Sequence, residues 1–115
     1  MGGNRYLLPL AAYSVLIFVI SSIPGSDIPS SVSPYSSLFH FILYFFYGIV
    51  AYLFFRNITT SIIFSTLYAL SDEIHQYFVP GRSCDAMDLL VDIFGIVVGV
   101  ILIYFVRKKL LEERS

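Results

Sequence analysis

Long uncharged runs separated by short polar breaks dominate the chain, and their lengths are those of helices that cross a bilayer. The first, Tyr6 to Ile23, spans about 18 residues, just enough at 1.5 Å per residue for the roughly 30 Å apolar layer. A cleaved signal peptide is the competing reading of this run. It is the weaker one, because SSIPGS after the run offers no clear small-x-small cleavage site. Pro24 to Ser37 follows with three prolines, six serines, one glycine and Asp27, all loop residues. Ser36 to Phe55 is a second apolar run, rich in aromatic residues and interrupted by His40 near its start.

Arg56 and Asn57 leave room only for a very tight turn, so the second and third helices are predicted to form an antiparallel hairpin. The third run is uncharged only from Ile58 to Leu70, too short to cross. Its helix must therefore continue to about Phe78, carrying Asp72, Glu73 and His75 in its last two turns, until Pro80 and Gly81 stop it. Ser83 or Asp85 can cap the next helix. The fourth span is predicted over 86–106, closed by Arg107, Lys108 and Lys109. The prediction is thus an all-α, polytopic membrane domain over 1–115, with four transmembrane helices (6–23, 36–55, 58–78 and 86–106) in an antiparallel bundle.

Composition agrees with that pattern: 57% of the residues are hydrophobic, 13% are charged, and mean hydropathy is +0.81. A soluble domain carries about 25% charge, so lipid is the solvent this chain is built for. Charge distribution then orients it. Arg5, Arg56, Arg107, Lys108, Lys109 and Arg114, six of the seven basic residues, fall on the side of both termini. The positive-inside rule makes that side the cytoplasm, N-in and C-in, in a bacterial cytoplasmic membrane. Arg82 stands on the outer side with Asp27, Asp72, Glu73, Asp85, Asp88 and Asp92. Cys84 is the single cysteine, which excludes an intrachain disulfide and a zinc site of clustered cysteines. There is no phosphate-binding glycine loop, dinucleotide fingerprint or basic stripe, so nucleic acid is not an expected partner.

Antiparallel order brings the polar groups to one depth. His40 lies about one turn into the second helix, Asp72, Glu73 and His75 near the end of the third, and Asp88 and Asp92 one to two turns into the fourth. Asp85, Asp88, Asp92, Gly95 and Gly99 are spaced 3, 4, 3 and 4 and share one face, whose glycines invite close helix packing. Tyr68, Asp72 and His75 share a face of the third helix with Gln76 adjoining, while Glu73 is offset by about 100°. His40, Tyr44, Tyr47 and Gly48 make a mixed face on the second. Charged groups near the bilayer centre cost several kcal/mol, so these acids are expected to point into the bundle. Bland roles compete at each position. Asp85 as a cap, Asp88 as the partner of Arg82, His75 and Gln76 as interfacial groups, and the aromatics as lipid contacts and core filling all fit the sequence.

The run SDEIHQYFVPGRSCDAMDLLVDIFGIVVG resembles the signature of the VanZ-like family of small bacterial membrane proteins. The matching positions are Asp72, Glu73, His75, Gln76, Phe78, Pro80, Gly81, Arg82, Asp88, Gly95 and Gly99, with His40, Phe41, Tyr44 and Gly48 upstream. Asp92 departs from the pattern, standing where many members carry asparagine. The resemblance covers about Leu38 to Gly99. It implies an envelope role, since the named member is an accessory protein associated with resistance to the glycopeptide teicoplanin, and it brings no settled reaction.

The function expected from these residues is recognition of a membrane lipid headgroup or lipid-linked cell-wall component in an outward polar pocket. Arg82 would contact an anionic oxygen with its forked donors, and His40, Tyr44, Gln76 and Asp88 would complete the binding set. A proton or a divalent cation would balance the acids; the metal itself and any oligomeric partner are left open. An enzyme is the alternative: a hydrolase or transferase with Glu73, His75 and Asp72 as catalytic acid/base groups and Arg82 stabilising developing charge. A third reading is a structural or assembly subunit whose polar cluster sets helix register, with Gly48, Gly95 and Gly99 as packing residues. Proton coupling is the remotest, because no relay in the sequence reaches Arg56 or the basic tail.

Overall fold

The computed structural model describes residues 4–24, 36–81 and 86–114. A 3-10 turn, Asn4–Tyr6, leads into four α-helices: α1 (Leu7–Ser21), α2 (Ser36–Phe55), α3 (Ile58–Tyr77) and α4 (Ala86–Arg114). The described residues contain no strand.

Local chemistry explains where these helices begin and end. Between α2 and α3, Arg56 takes a left-handed backbone conformation (φ 59°), which reverses the chain within two residues. Asn57 then caps α3, its side chain accepting a hydrogen bond from the backbone N–H of Thr60 at 2.8 Å. At the other end of α3 the chain leaves the helix at Phe78, and Gly81, with φ 77°, supplies a conformation that a side chain would resist. α4 does not stop at the basic residues predicted to close it. It continues to Arg114, because charge ends an apolar span but not a helix. Leu110, Leu111, Glu112 and Glu113 are good helix formers, and cations suit a helix C-terminus.

Ring contacts give the packing order. Tyr47 stacks on Tyr68 and Phe55 meets Phe64, so α2 and α3 run antiparallel. Gly95 lies on the Phe41 carbonyl, Gly99 on that of Phe45, and Tyr52 meets Tyr104, so α2 and α4 run parallel. This parallel pair is the most extensive interface of the molecule. A Cβ on Gly48 would stand 2.7 Å from the Ile96 carbonyl oxygen, and one on Gly95 2.7 Å from that of Phe41. A Cβ on Gly99 would collide with the Phe45 carbonyl. Backbone, not side chain, therefore fills this seam, as expected where van der Waals contact between helices replaces the hydrophobic effect. α1 touches α2 and α3 but not α4, and its contacts are the sparsest.

Polarity is distributed inside out. Leu8, Val15, Ile63, Leu67, Phe94 and Phe105 are exposed, while Ser61, Ser65, Asp72, Glu73, Gln76 and Asp92 are buried. Among the described residues, three helical segments are long and apolar enough to cross a membrane: Asn4–Ser21, Ser37–Phe55 and Ala86–Arg114. α3 matches α2 in length, at 20 residues, but is polar along one side, and that side faces its neighbours.

Candidate functional site

α2 is the hub of the polar interior because successive turns of one face address different helices. His40 Nδ1 donates to Asp92 Oδ1 of α4 at 2.8 Å. One turn on, the Tyr44 hydroxyl donates to Asp72 Oδ2 of α3, also at 2.8 Å. A further turn inward, Tyr47 hydrogen-bonds Ser14 of α1 at 2.9 Å. The period of an α-helix puts these side chains in one column, and the tight α2–α4 seam sets the column against α4.

The acids are deep. Asp92 is 0% exposed, Asp72 5% and Glu73 3%. Counted along each helix, His40, Asp72 and Asp92 lie about 6, 8 and 9 Å from the helix ends that share this side of the bundle, at 1.5 Å per residue. Glu73 and Asp88 are within electrostatic range of the His40 ring, and Asp72 and Glu73 within that of Asp92. Asp88, one turn above Asp92 on α4, is half-buried. Among the described residues, no donor reaches Asp92 Oδ2 or Asp72 Oδ1. Nor is any group of three or more His, Cys, Asp or Glu among them arranged to hold a metal ion.

Two of the candidates face another way. The His75 imidazole lies 2.8 Å from Ser22 Oγ, just beyond α1, and stacks on Phe18 at 4.5 Å between ring centroids. Gln76 Nε2 donates to Ser21 Oγ at 3.3 Å. The end of α3 thus has two flanks, with its acids toward α2 and α4 and its imidazole and amide toward α1. Glu73, offset from Asp72 on the helical wheel, is buried with it because the inward stripe of α3 runs through Ala69, Asp72, Glu73 and Gln76 and is wide enough for both. Arg82, the expected anion contact, and Asp85, the expected cap, lie outside the described residues.

Residues of α1 are what the sequence reading missed. Tyr13, Ser14, Ser21 and Ser22 all read there as part of one uniform apolar run, Tyr6 to Ile23. In the fold Tyr13 donates to the Leu43 carbonyl at 2.8 Å, and Tyr68 donates to that of Ser14. The available signal was the seven-residue spacing of Ser14 and Ser21, about two helical turns, which puts two hydroxyls on one face of an otherwise apolar helix.

Apolar outside, polar within, with acids, imidazoles and phenols gathered toward one end of the helices: this is the construction of a helical membrane protein. The model of the VanZ/LLP1 family matches residues 5–107, most of the chain, and the protein belongs to that family. No curated protein and no solved structure matches it.

Proposed function

We propose that the protein crosses the bacterial cytoplasmic membrane four times, with both termini in the cytoplasm. Its polar cluster, facing outward, recognises an envelope lipid headgroup or a lipid-linked wall component. The observation that carries the reading is the convergence of His40 with Asp92 and Tyr44 with Asp72, contributed by three helices whose outer surfaces are apolar. A carboxylate costs about 2.5–3.5 kcal/mol at the centre of a spanning helix and less toward its ends, so two of them buried below the helix ends favour use over filling. Support for α3 as the fourth span is its length and its inward polar side. Support for the orientation is the basic set of Arg5, Arg56, Arg107, Lys108, Lys109 and Arg114, which the helix directions bring to the opposite end. Arg82, next in the chain after Gly81, supplies the contact to an anionic oxygen of the ligand. The family resemblance adds an accessory part in glycopeptide tolerance.

Cys84, the single cysteine, tests the orientation directly, since a membrane-impermeant maleimide added to intact cells labels it only if the turn after Pro80 is external. Labelling only after the cells are permeabilised refutes the outward site. Ligand recognition is tested by native mass spectrometry of the purified protein with a panel of envelope lipids, where retention independent of headgroup refutes it.

One observation favours a second reading, a membrane-embedded hydrolase or transferase. An imidazole held by a carboxylate, as His40 is by Asp92, is the arrangement of an oriented general base, with Glu73 close by. Turnover of a lipid-linked substrate by reconstituted protein, lost in both His40→Gln and Glu73→Gln, supports it. Turnover untouched by either substitution removes these residues from the chemistry.

A further inference from the structure

We infer that the last two turns of α4, residues 108–114, are a docking face for an acidic amphipathic helix of a partner protein, held by Leu110 and Leu111 between Arg107 and Arg114.

The face exists because α4 outlasts the helices packed on it. Tyr52 of α2 meets Tyr104 of α4, so Phe55, the last residue of α2, comes level with Arg107. Arg56 and Asn57 then turn the chain, and α3 runs back the other way from Ile58. α4 continues to Arg114, which carries residues 108–114 about 10 Å beyond the bundle at 1.5 Å per residue. All of them are exposed. α1 and the 3-10 turn before it do not reach α4.

Within the bundle the inner stripe of α4 is Ile96, Gly99, Val100, Ile103 and Tyr104, which are buried or packed against the core. The helical period carries that stripe on through half-buried Arg107 to Leu110, Leu111 and Arg114. The side of α4 that is covered by α2 and α3 inside the bundle thus loses its cover past Arg107, where Leu110 is 53% and Leu111 58% exposed. Lipid can solvate exposed leucines along the apolar span, but these two lie beyond the charged residues that close it. Those charges are enough to orient the chain, so the leucines answer to something else.

Charge on the projection is sorted by side. Lys108, Lys109, Glu112 and Glu113 turn away from the stripe, each lysine four residues before a glutamate, and sum to zero. Past Tyr104 the stripe itself carries two guanidinium groups, Arg107 and Arg114, and no acid. A partner that covers the leucines must bring carboxylates beside its own apolar side chains, and the forked guanidinium donors suit them. An amphipathic helix with glutamates flanking its leucines has that surface. Anionic lipid matches the charge alone, because its phosphate can reach Arg107 while its acyl chains stay on the membrane side of that residue, about 5 Å short of the leucines. A second copy fits poorly by shape. The bundle measures 23 and 21 Å in its two shorter extents, so copies standing side by side meet through outer surfaces and leave each inner stripe facing its own bundle.

The test uses the full chain in phosphatidylcholine nanodiscs and a fluorescein-labelled synthetic amphipathic peptide whose leucines, at helical spacing, are flanked by glutamates. Binding is read by fluorescence anisotropy against empty nanodiscs. The glutamate peptide is expected to bind about tenfold or more tightly than the same peptide with lysine in place of every glutamate. Leu110→Ser combined with Leu111→Ser is expected to weaken that binding about tenfold, and Arg114→Gln several-fold. Lys109→Gln combined with Glu113→Gln, on the opposite side and neutral in sum, is expected to leave it unchanged. Equal binding of the two peptides overturns the inference, and so does binding left intact in the leucine variant. Loss of glutamate-peptide binding in nanodiscs made largely of phosphatidylglycerol assigns the face to anionic lipid. A dimer of the full chain, seen by light scattering and dissociated by the leucine substitutions, assigns it to a second copy. Either of these results also overturns the inference, and none of them touches the polar cluster at the other end of the helices.

Discussion

Replacing Gly95 by alanine tests whether the α2–α4 seam holds the polar cluster together. The new Cβ would lie 2.7 Å from the Phe41 carbonyl oxygen and 3.2 Å from the Phe45 nitrogen, both backbone atoms that no rotamer change can move. Ordinary contact begins at 3.4 Å, so α2 and α4 must separate by about 0.7 Å locally. About one turn toward the site the same two helices hold the His40–Asp92 hydrogen bond at 2.8 Å, and the same displacement stretches it to about 3.5 Å, where it is lost. Overpacking costs about 1–3 kcal/mol and a charge-assisted hydrogen bond about 1.5–3 kcal/mol, while alanine returns up to about 1 kcal/mol of helix propensity. The net expectation is a loss of about 2–5 kcal/mol. Reversible unfolding in mixed detergent micelles measures it, with Gly99→Ala expected to be worse, because its Cβ would collide with the Phe45 carbonyl, and Gly48→Ala comparable. Stability of Gly95→Ala equal to or above that of the wild type refutes the reasoning.

Other perturbations address single contacts. Tyr44→Phe removes the donor to Asp72 and should destabilise by about 1.5–3 kcal/mol in the same unfolding assay; adding Asp72→Asn should recover part of the loss, because a neutral amide tolerates the missing donor better. Ser22→Ala removes the hydroxyl beside His75, at a cost of about 1 kcal/mol, and should speed modification of His75 by diethylpyrocarbonate; an unchanged rate means that α1 does not shield the ring. Asn57→Ala deletes the cap of α3 and should cost about 1 kcal/mol, with helix content by circular dichroism nearly unchanged. Neutralising Arg107, Lys108 and Lys109 together should weaken the orientation bias, seen as a smaller fraction of Cys84 labelled from outside intact cells; an unchanged fraction places the topological signal elsewhere in the chain.

Much of this protein was legible without coordinates. Uninterrupted apolar runs, the prolines and glycines between them, and the tight Arg56–Asn57 turn define the four helices, because hydrophobic length and turn chemistry are local properties. The position of His40, Asp72, Glu73 and Asp92 relative to their helix ends follows from the same local rules. Even the inward direction of the acids was within reach, since lipid will not solvate them.

Partners were not legible, because helical period assigns a residue to a face but does not say which helix that face will meet. The two-residue turn after Phe55 pointed to α2 and α3 as close neighbours, yet the deepest contact is between α2 and α4, where glycines allow backbone to touch backbone. That seam brings His40 to Asp92 and leaves Tyr44 for Asp72. α1 looked like a plain apolar span, and only its packing on the far flank of α3 gives Ser21 and Ser22 to Gln76 and His75, dividing one run of polar residues between two neighbours. Sequence thus determined where the acids of α3 and α4 stand along their helices and that they turn away from lipid. Three-dimensional packing decided which of them share a hydrogen bond, because side-chain pairing is set by the closest approach of whole helices and not by spacing along any one of them.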